Sequence, residues 1–193
     1  LADRISASSE KHGGFIRKED LAQYEVEWVD PISVDYRGYQ ICEIPPNGQG
    51  LVALMALNIL KGFSFEQRED PETFHKQFEA VKLAFADGKK YITDSRFMKY
   101  SAQQLLSGEY ADQRRKLITD TAQDFKAGQP DSSGTVYLCA ADEEGNMVSF
   151  IQSNYLSFGS GAVVEDSGIA LQNRGADFSL DPADHNYLEP GKR

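Results

Sequence analysis

Thr135 stands where a polar stretch gives way to an apolar one, in Ser132-Ser133-Gly134-Thr135-Val136-Tyr137-Leu138. An internal threonine hydroxyl is a poor nucleophile because it lacks a base. If the chain is cut after Gly134, Thr135 becomes a new terminus, and its own α-amino group can take the proton. That amine has a reference pKa of ~7.7–8.0, so roughly a tenth or more is neutral at pH 7. Gly134 suits the cut position, since a residue without a Cβ can adopt the strained backbone that exposes its carbonyl. The other reading is an ordinary β-branched residue opening a strand. Composition and spacing leave both open.

Other chemistries find less support. His12, His75 and His185 are isolated, in no HExxH or paired spacing, so no metal site is expected. Phe158-Gly159-Ser160-Gly161 has too few glycines for a dinucleotide loop and opens no helix. There is no GxSxG elbow. Cys42 and Cys139 lie far apart, in no CxxC arrangement, and are expected as buried, reduced thiols. No cofactor is implied.

Bulk properties set wider bounds. At 193 residues, 40% hydrophobic and 11% aromatic, the chain is globular, with one domain or one domain and an appendage. A net charge of −10 argues against nucleic-acid and anionic-membrane partners. The longest apolar stretch, Leu51 to Leu57, is far short of the ~20 residues a membrane helix needs. The chain starts at Leu1 and ends on Lys192-Arg193, and both ends read as cuts through a longer protein. A missing targeting segment therefore carries no weight, and bacterial cytoplasm and secretion both stay open.

The elements that must position Thr135 follow from periodicity. The first forty residues read as loop, a short helix from Lys18 to Tyr24, then strands. Ile32, Val34 and Tyr36 alternate with polar residues, Arg37-Gly38-Tyr39 turns, and Gln40 to Ile44 returns. Gln49 to Leu60 is apolar nearly all round and predicts a buried helix closed by Gly62. Pro71 to Tyr91 predicts a helix whose apolar stripe is Phe74, Phe78, Val81 and Phe85. Ser101 to Gln104 resembles a capping box opening a helix to about Ile118, which Gly108 weakens or splits. Residues 119–134 are polar and read as an exposed linker. Thr135 to Ala141 is apolar on both faces, which predicts a strand covered on both sides. Asp142 to Asn146 reads as a hairpin loop, Met147 to Ser153 as its partner strand, and Ala162-Val163-Val164 and Ile169-Ala170-Leu171 as short strands.

One family matches these residues in order. Gly13-Gly14-Phe15-Ile16 with Lys18-Glu19-Asp20-Leu21 and Tyr24, Tyr36-Arg37-Gly38-Tyr39, Phe85-Ala86-Asp87 and Asp94-Ser95-Arg96-Phe97 come before Gly134-Thr135. Asp142-Glu143-Glu144-Gly145-Asn146, Phe158-Gly159-Ser160-Gly161, Asp177-Phe178-Ser179 and Pro190-Gly191-Lys192-Arg193 follow it. Each match is weak alone, and together they resemble an internal part of a γ-glutamyltranspeptidase, an N-terminal-nucleophile hydrolase. The pattern is most similar to the bacterial γ-glutamyltransferase-like and cephalosporin-acylase-like branch.

The resemblance implies an α+β fold, part of an αββα sandwich, with its helices on the large-subunit side. Residues 1–134 would be the C-terminal part of a large subunit and 135–193 the N-terminal part of a small one. Autocleavage would fall between Gly134 and Thr135. Thr135 would be the nucleophile, and Ser153 would stand where the family has a threonine that assists it. Asp177 would pair with the donor's α-amino group, and Asn173 would hold that loop. Tyr155 and Arg174 fall at substrate-binding positions but depart from the family's Asn and Gln or Glu. Val136-Tyr137 departs from its Thr-His after the nucleophile.

The expected activity is hydrolysis or transfer of γ-glutamyl amides, glutathione-like, with an amino acid, a peptide or water as acceptor. The alternatives are an amidohydrolase of glutaryl or β-lactam side chains or poly-γ-glutamate, or a cleavage-dead binding relative. The partners implied are the acyl substrate and the remainder of the two subunits. The family's carboxylate-binding arginine would lie before Leu1, and its serine pair and oxyanion glycines beyond Arg193. On that basis residues 1–193 alone are expected to be inactive.

Overall fold

A computed structural model describes residues 1–67, 69–123 and 133–192, with the backbone alone at 133–136. Of the expected linker, residues 124–132 lie outside the described residues. In chain order the elements are helices α1 (Ala2–Lys11) and α2 (Lys18–Gln23), strands β1 (Ile32–Tyr36) and β2 (Tyr39–Glu43), and helices α3 (Gly50–Leu60), α4 (Pro71–Tyr91), α5 (Ala102–Leu105) and α6 (Gly108–Arg115). Strands β3 (Ser133–Ala141), β4 (Met147–Leu156), β5 (Val163–Val164) and β6 (Ile169–Ala170) follow, then a 3-10 helix at Arg174–Asp177. The chain forms two compact units, one of residues 1–27 and 130–178, the other of residues 28–129 and 179–193.

The second unit holds the apolar core. Leu51, Leu54, Met55 and Ile59 of α3 are buried, as a helix apolar nearly all round requires. Pro71 opens α4 at its first turn, and Asp70 Oδ2 accepts from Thr73 N at 3.1 Å. The face α4 buries is Ala80, Leu83, Ala84 and Gly88, whereas Phe74, Phe78 and Val81 of the expected stripe are exposed. Small residues let two backbones approach: a Cβ on Gly88 would meet Val52 Cγ2 at 2.6 Å. Aromatic bulk on that line would force the helices apart.

Gly62 is not the left-handed cap the sequence implies. Instead Arg115 caps α3, donating from Nε to Ile59 O at 2.7 Å and from Nη2 to Asn58 O at 3.0 Å. Gly62 leaves room for it, since a Cβ there would lie 2.0 Å from the Arg115 guanidinium carbon. The capping box at Ser101 forms, and the expected split comes where Ser107 caps α6, with Gly108 its first residue. Asp87 and Arg114 form a buried pair at 2.8 Å, and burial holds the Asp87 carboxyl above its ordinary pKa despite that cation. Strands β1 and β2 pair antiparallel around a turn with Arg37 and Gly38 at positive φ.

In the first unit α1 replaces the expected loop. None of its residues is buried, so no apolar stripe advertises it. Its ties are polar: Asp3 pairs with Lys18 of α2 at 2.5 Å, Lys11 pairs with Glu165 at 2.5 Å, and Arg4 donates to Asp166 O. Strands β3 and β4 form an antiparallel hairpin. Asp142 Oδ1 accepts from Glu144 N at 3.0 Å and Asn146 N at 2.9 Å, which closes the turn. These bonds, with the Asn146 side chain foremost, hold the Asp142 carboxyl below its usual range.

The expectation that β3 is covered on both faces fails here. Tyr137 and Leu138 on its two faces are 60% and 49% exposed. Apolar residues on both faces record what a strand needs covered, and a two-stranded hairpin supplies no layer to cover them. Cys42 and Cys139, expected buried, are exposed, since each sits on a two-stranded hairpin. Mixed helix and strand agrees with the α+β expectation.

Candidate active site

The predicted site residues all fall in the first unit, at the open end of the β3–β4 hairpin. Thr135 is the register partner of Ser153, and Ser133 that of Leu156. Between these pairs β3 contributes only Gly134, whereas β4 contributes Asn154 and Tyr155. The extra residue is a β-bulge, and it falls opposite the predicted scissile position. Tyr155 absorbs the distortion with φ +76°, a left-handed conformation that a bulky side chain adopts only where its surroundings hold it.

Those surroundings are identifiable. Tyr155 N donates to Ser153 Oγ at 2.9 Å, and the Tyr155 hydroxyl donates to Asp177 Oδ1. The Arg174 guanidinium carbon lies 4.8 Å from the Tyr155 ring centroid, a cation–π contact. Arg174 Nη2 also reaches Ser153 Oγ at 3.4 Å. The 3-10 helix thus brings a cation over the ring and a carboxylate to the hydroxyl of one tyrosine. The cation also touches the hydroxyl beside the Thr135 register position.

Asn173 fixes the 3-10 helix to the bulge. Its Oδ1 accepts from Leu156 N at 2.9 Å, and its Nδ2 donates to Gly159 O at 3.1 Å and Leu156 O at 3.4 Å. Its backbone N donates to Asn154 O at 3.2 Å. The amide orientation follows from these partners, one donor and two acceptors. Gly159 is required twice over, by φ +79° and because a Cβ would stand 2.5 Å from Leu171 O.

The sequence points to Ser153, Tyr155, Asn173, Arg174 and Asp177 but not to the bulge or to Gln172, whose Oε1 accepts from Arg174 N. No sequence signal marks the bulge, because the positive φ falls on Tyr155 rather than on a glycine. A cavity of about 350 Å³ lies in the second unit, lined by Tyr91, Tyr100, Leu105 and Tyr110, and contains none of these residues. Among the described residues no cluster of His, Cys, Asp or Glu is arranged to hold a metal. Among them, no helix is long and apolar enough to cross a membrane.

The family model for gamma-glutamyltranspeptidase matches residues 1–193, and the chain belongs to that family. It is 41% identical to the glutathione hydrolase-like YwrD proenzyme of Bacillus subtilis, covering 100% of this chain and 37% of that protein. It is 36% identical to the oxamate amidohydrolase proenzyme of Klebsiella pneumoniae, with the same coverage. Among solved structures, a cephalosporin acylase from Bacillus halodurans is 61% identical with a TM-score of 0.90, over 100% of this chain and 35% of that one. The chain therefore spans just over a third of the length of these relatives.

Proposed function

We propose that this chain carries the cleavage site and nucleophile of a self-processing amide hydrolase or acyltransferase acting on γ-glutamyl or related acyl amides. Cleavage at Gly134-Thr135 would separate residues 1–134, the end of a large subunit, from 135–193, the start of a small one. The parent fold is then the αββα sandwich of the N-terminal-nucleophile hydrolases. The observation that carries the reading is the pairing of Thr135 with Ser153 beside the bulge, with Arg174, Tyr155 and Asp177 gathered there. Membership of a family whose relatives include proenzymes supports it.

In the first step the Thr135 hydroxyl attacks the Gly134 carbonyl, and the peptide nitrogen leaves as the α-amine of Thr135. Water then hydrolyses the resulting ester. That amine next serves as general base for the same hydroxyl, which attacks the substrate amide. The substrate's amine departs with a proton, and water or an amine acceptor resolves the acyl-enzyme. Ser153 would support the nucleophile, and Asn173, Arg174, Tyr155 and Asp177 would hold the donor. No step uses a metal or a cofactor.

Intact mass of the full-length enzyme against Thr135→Ala tests this. Two pieces are expected from wild type, the second beginning at Thr135, and one mass from the variant. Cleavage persisting in Thr135→Ala would overturn the nucleophile assignment. An uncut wild type would favour the cleavage-dead binding relative.

A further inference from the structure

We propose that Arg174 sets the acyl-donor preference of this site, selecting donors that end in a carboxylate with no ammonium on the adjoining carbon. Such donors are monoamides of dicarboxylic acids, with glutaryl amides as the probe. The selection presupposes Thr135 as nucleophile. Arg174 Nη2 lies 3.4 Å from Ser153 Oγ, and Ser153 is the register partner of Thr135. A carboxylate held by Arg174 is thus only a short acyl chain away from a carbonyl placed for attack by Thr135.

The guanidinium is also prepared for that carboxylate. Its contact with the Tyr155 ring, at 4.8 Å, orients the planar fork without consuming N–H donors. Among the described residues no carboxylate forms an ion pair with Arg174, although Asp177 is only three positions further along. Asp177 Oδ1 instead receives the Tyr155 hydroxyl. A carboxylate arriving at Arg174 gains charge-assisted, two-pronged hydrogen bonds. An ammonium arriving there meets a fixed cation and must share Asp177 with a phenol. An α-amino acid donor presents both groups on one carbon, so docking its carboxylate on Arg174 brings its ammonium to the same cation.

The test compares glutaryl-p-nitroanilide with γ-L-glutamyl-p-nitroanilide in the full-length enzyme, for wild type, Arg174→Gln and Arg174→Lys. Wild type is expected to favour the glutaryl donor by ~10-fold or more in kcat/KM, and Arg174→Gln to lower that value ~10- to 100-fold, the weight of a charge-assisted pair. Arg174→Lys keeps the charge without the fork and should retain part of the preference. A wild type that favours the γ-glutamyl donor, or an Arg174→Gln variant that loses both donors by the same factor, overturns the proposal. Calorimetric binding of glutarate against L-glutamate reads the preference without turnover, and equal binding or tighter L-glutamate overturns it likewise. Failure of the nucleophile assignment shows separately, as cleavage that does not depend on Thr135.

Discussion

Replacing Asn173 by aspartate should harm this site more at pH 8 than replacing it by alanine, although aspartate is nearer in shape. Alanine removes three side-chain hydrogen bonds, one accepted from Leu156 N and two donated to Gly159 O and Leu156 O. Each has a net worth of ~0.5–1.5 kcal/mol, and the half-buried position lets water replace part of it, so the loss is about 1–3 kcal/mol. Aspartate keeps the bond from Leu156 N. Its second oxygen, however, faces two carbonyl oxygens where Asn173 Nδ2 now donates. Two attractions become repulsions, which adds about 1–2 kcal/mol to the alanine cost.

The sign of the pH dependence then separates the two variants. Once protonated, the carboxyl introduced by Asn173→Asp could again donate to Gly159 O, so folding favours its neutral form and raises its pKa. The penalty is therefore present above the folded pKa and relieved as pH falls through it. At about 1.36 kcal/mol per unit, 1–2 kcal/mol corresponds to a rise of roughly one unit, so the recovery begins near pH 5 and is mostly complete at about pH 4. Alanine has nothing to titrate. Amide exchange of peptides covering 154–173 in the full-length enzyme, corrected for intrinsic rates, should show ~5- to 150-fold weaker protection for Asn173→Ala at pH 8 and at about pH 4. Asn173→Asp should be weaker still at pH 8 and approach or pass alanine only at about pH 4. Wild-type protection in Asn173→Asp at pH 8, or identical pH behaviour of the two variants, would refute the arrangement of donors and acceptors described here.

The remaining predictions are read by ordinary stability measurements. Gly159→Ala combines a left-handed φ with a Cβ 2.5 Å from Leu171 O, so ~1–2 kcal/mol of backbone strain adds to ~1–3 of overpacking. Gly161→Ala is its control, at φ +75° with nothing within 4 Å of the new Cβ, and should show only the backbone part in denaturant titration. Glu79 is buried; that burial raises its pKa, but Lys82 Nζ at 2.6 Å and Gln123 N at 3.0 Å more than reverse the effect and leave it lowered. A depressed acid stabilises the fold above its unfolded pKa, near 4.5, and loses that contribution as pH falls through the folded value. Acid unfolding of Glu79→Gln should accordingly be less steep below that point than that of wild type.

Legibility in the sequence depended on how local the cause was. The α4 boundaries were readable because Asp70 and Pro71 act within one turn, and the β1–β2 hairpin because alternation and Arg37-Gly38 lie side by side. Phenylalanine at helical spacing misled, because burial was decided by which α4 face could approach α3, and Gly88 against Val52 carries that information only once both helices are in place. Helix α1 was hidden for a related reason: it buries no apolar stripe, and two of its ties lie more than 150 residues away, at Glu165 and Asp166.

The site shows both behaviours. Thr135, Ser153 and Asp177 were legible as residue types in a familiar order. The contacts that surround them were not, because they need a bulge at Tyr155, a clip at Asn173 and a glycine at 159 to act together. Arg174 on its own reads as a surface charge. Held by the 3-10 helix over a left-handed tyrosine, it reaches the hydroxyl of Ser153, the register partner of Thr135, and nothing in the residue type itself announces that contact.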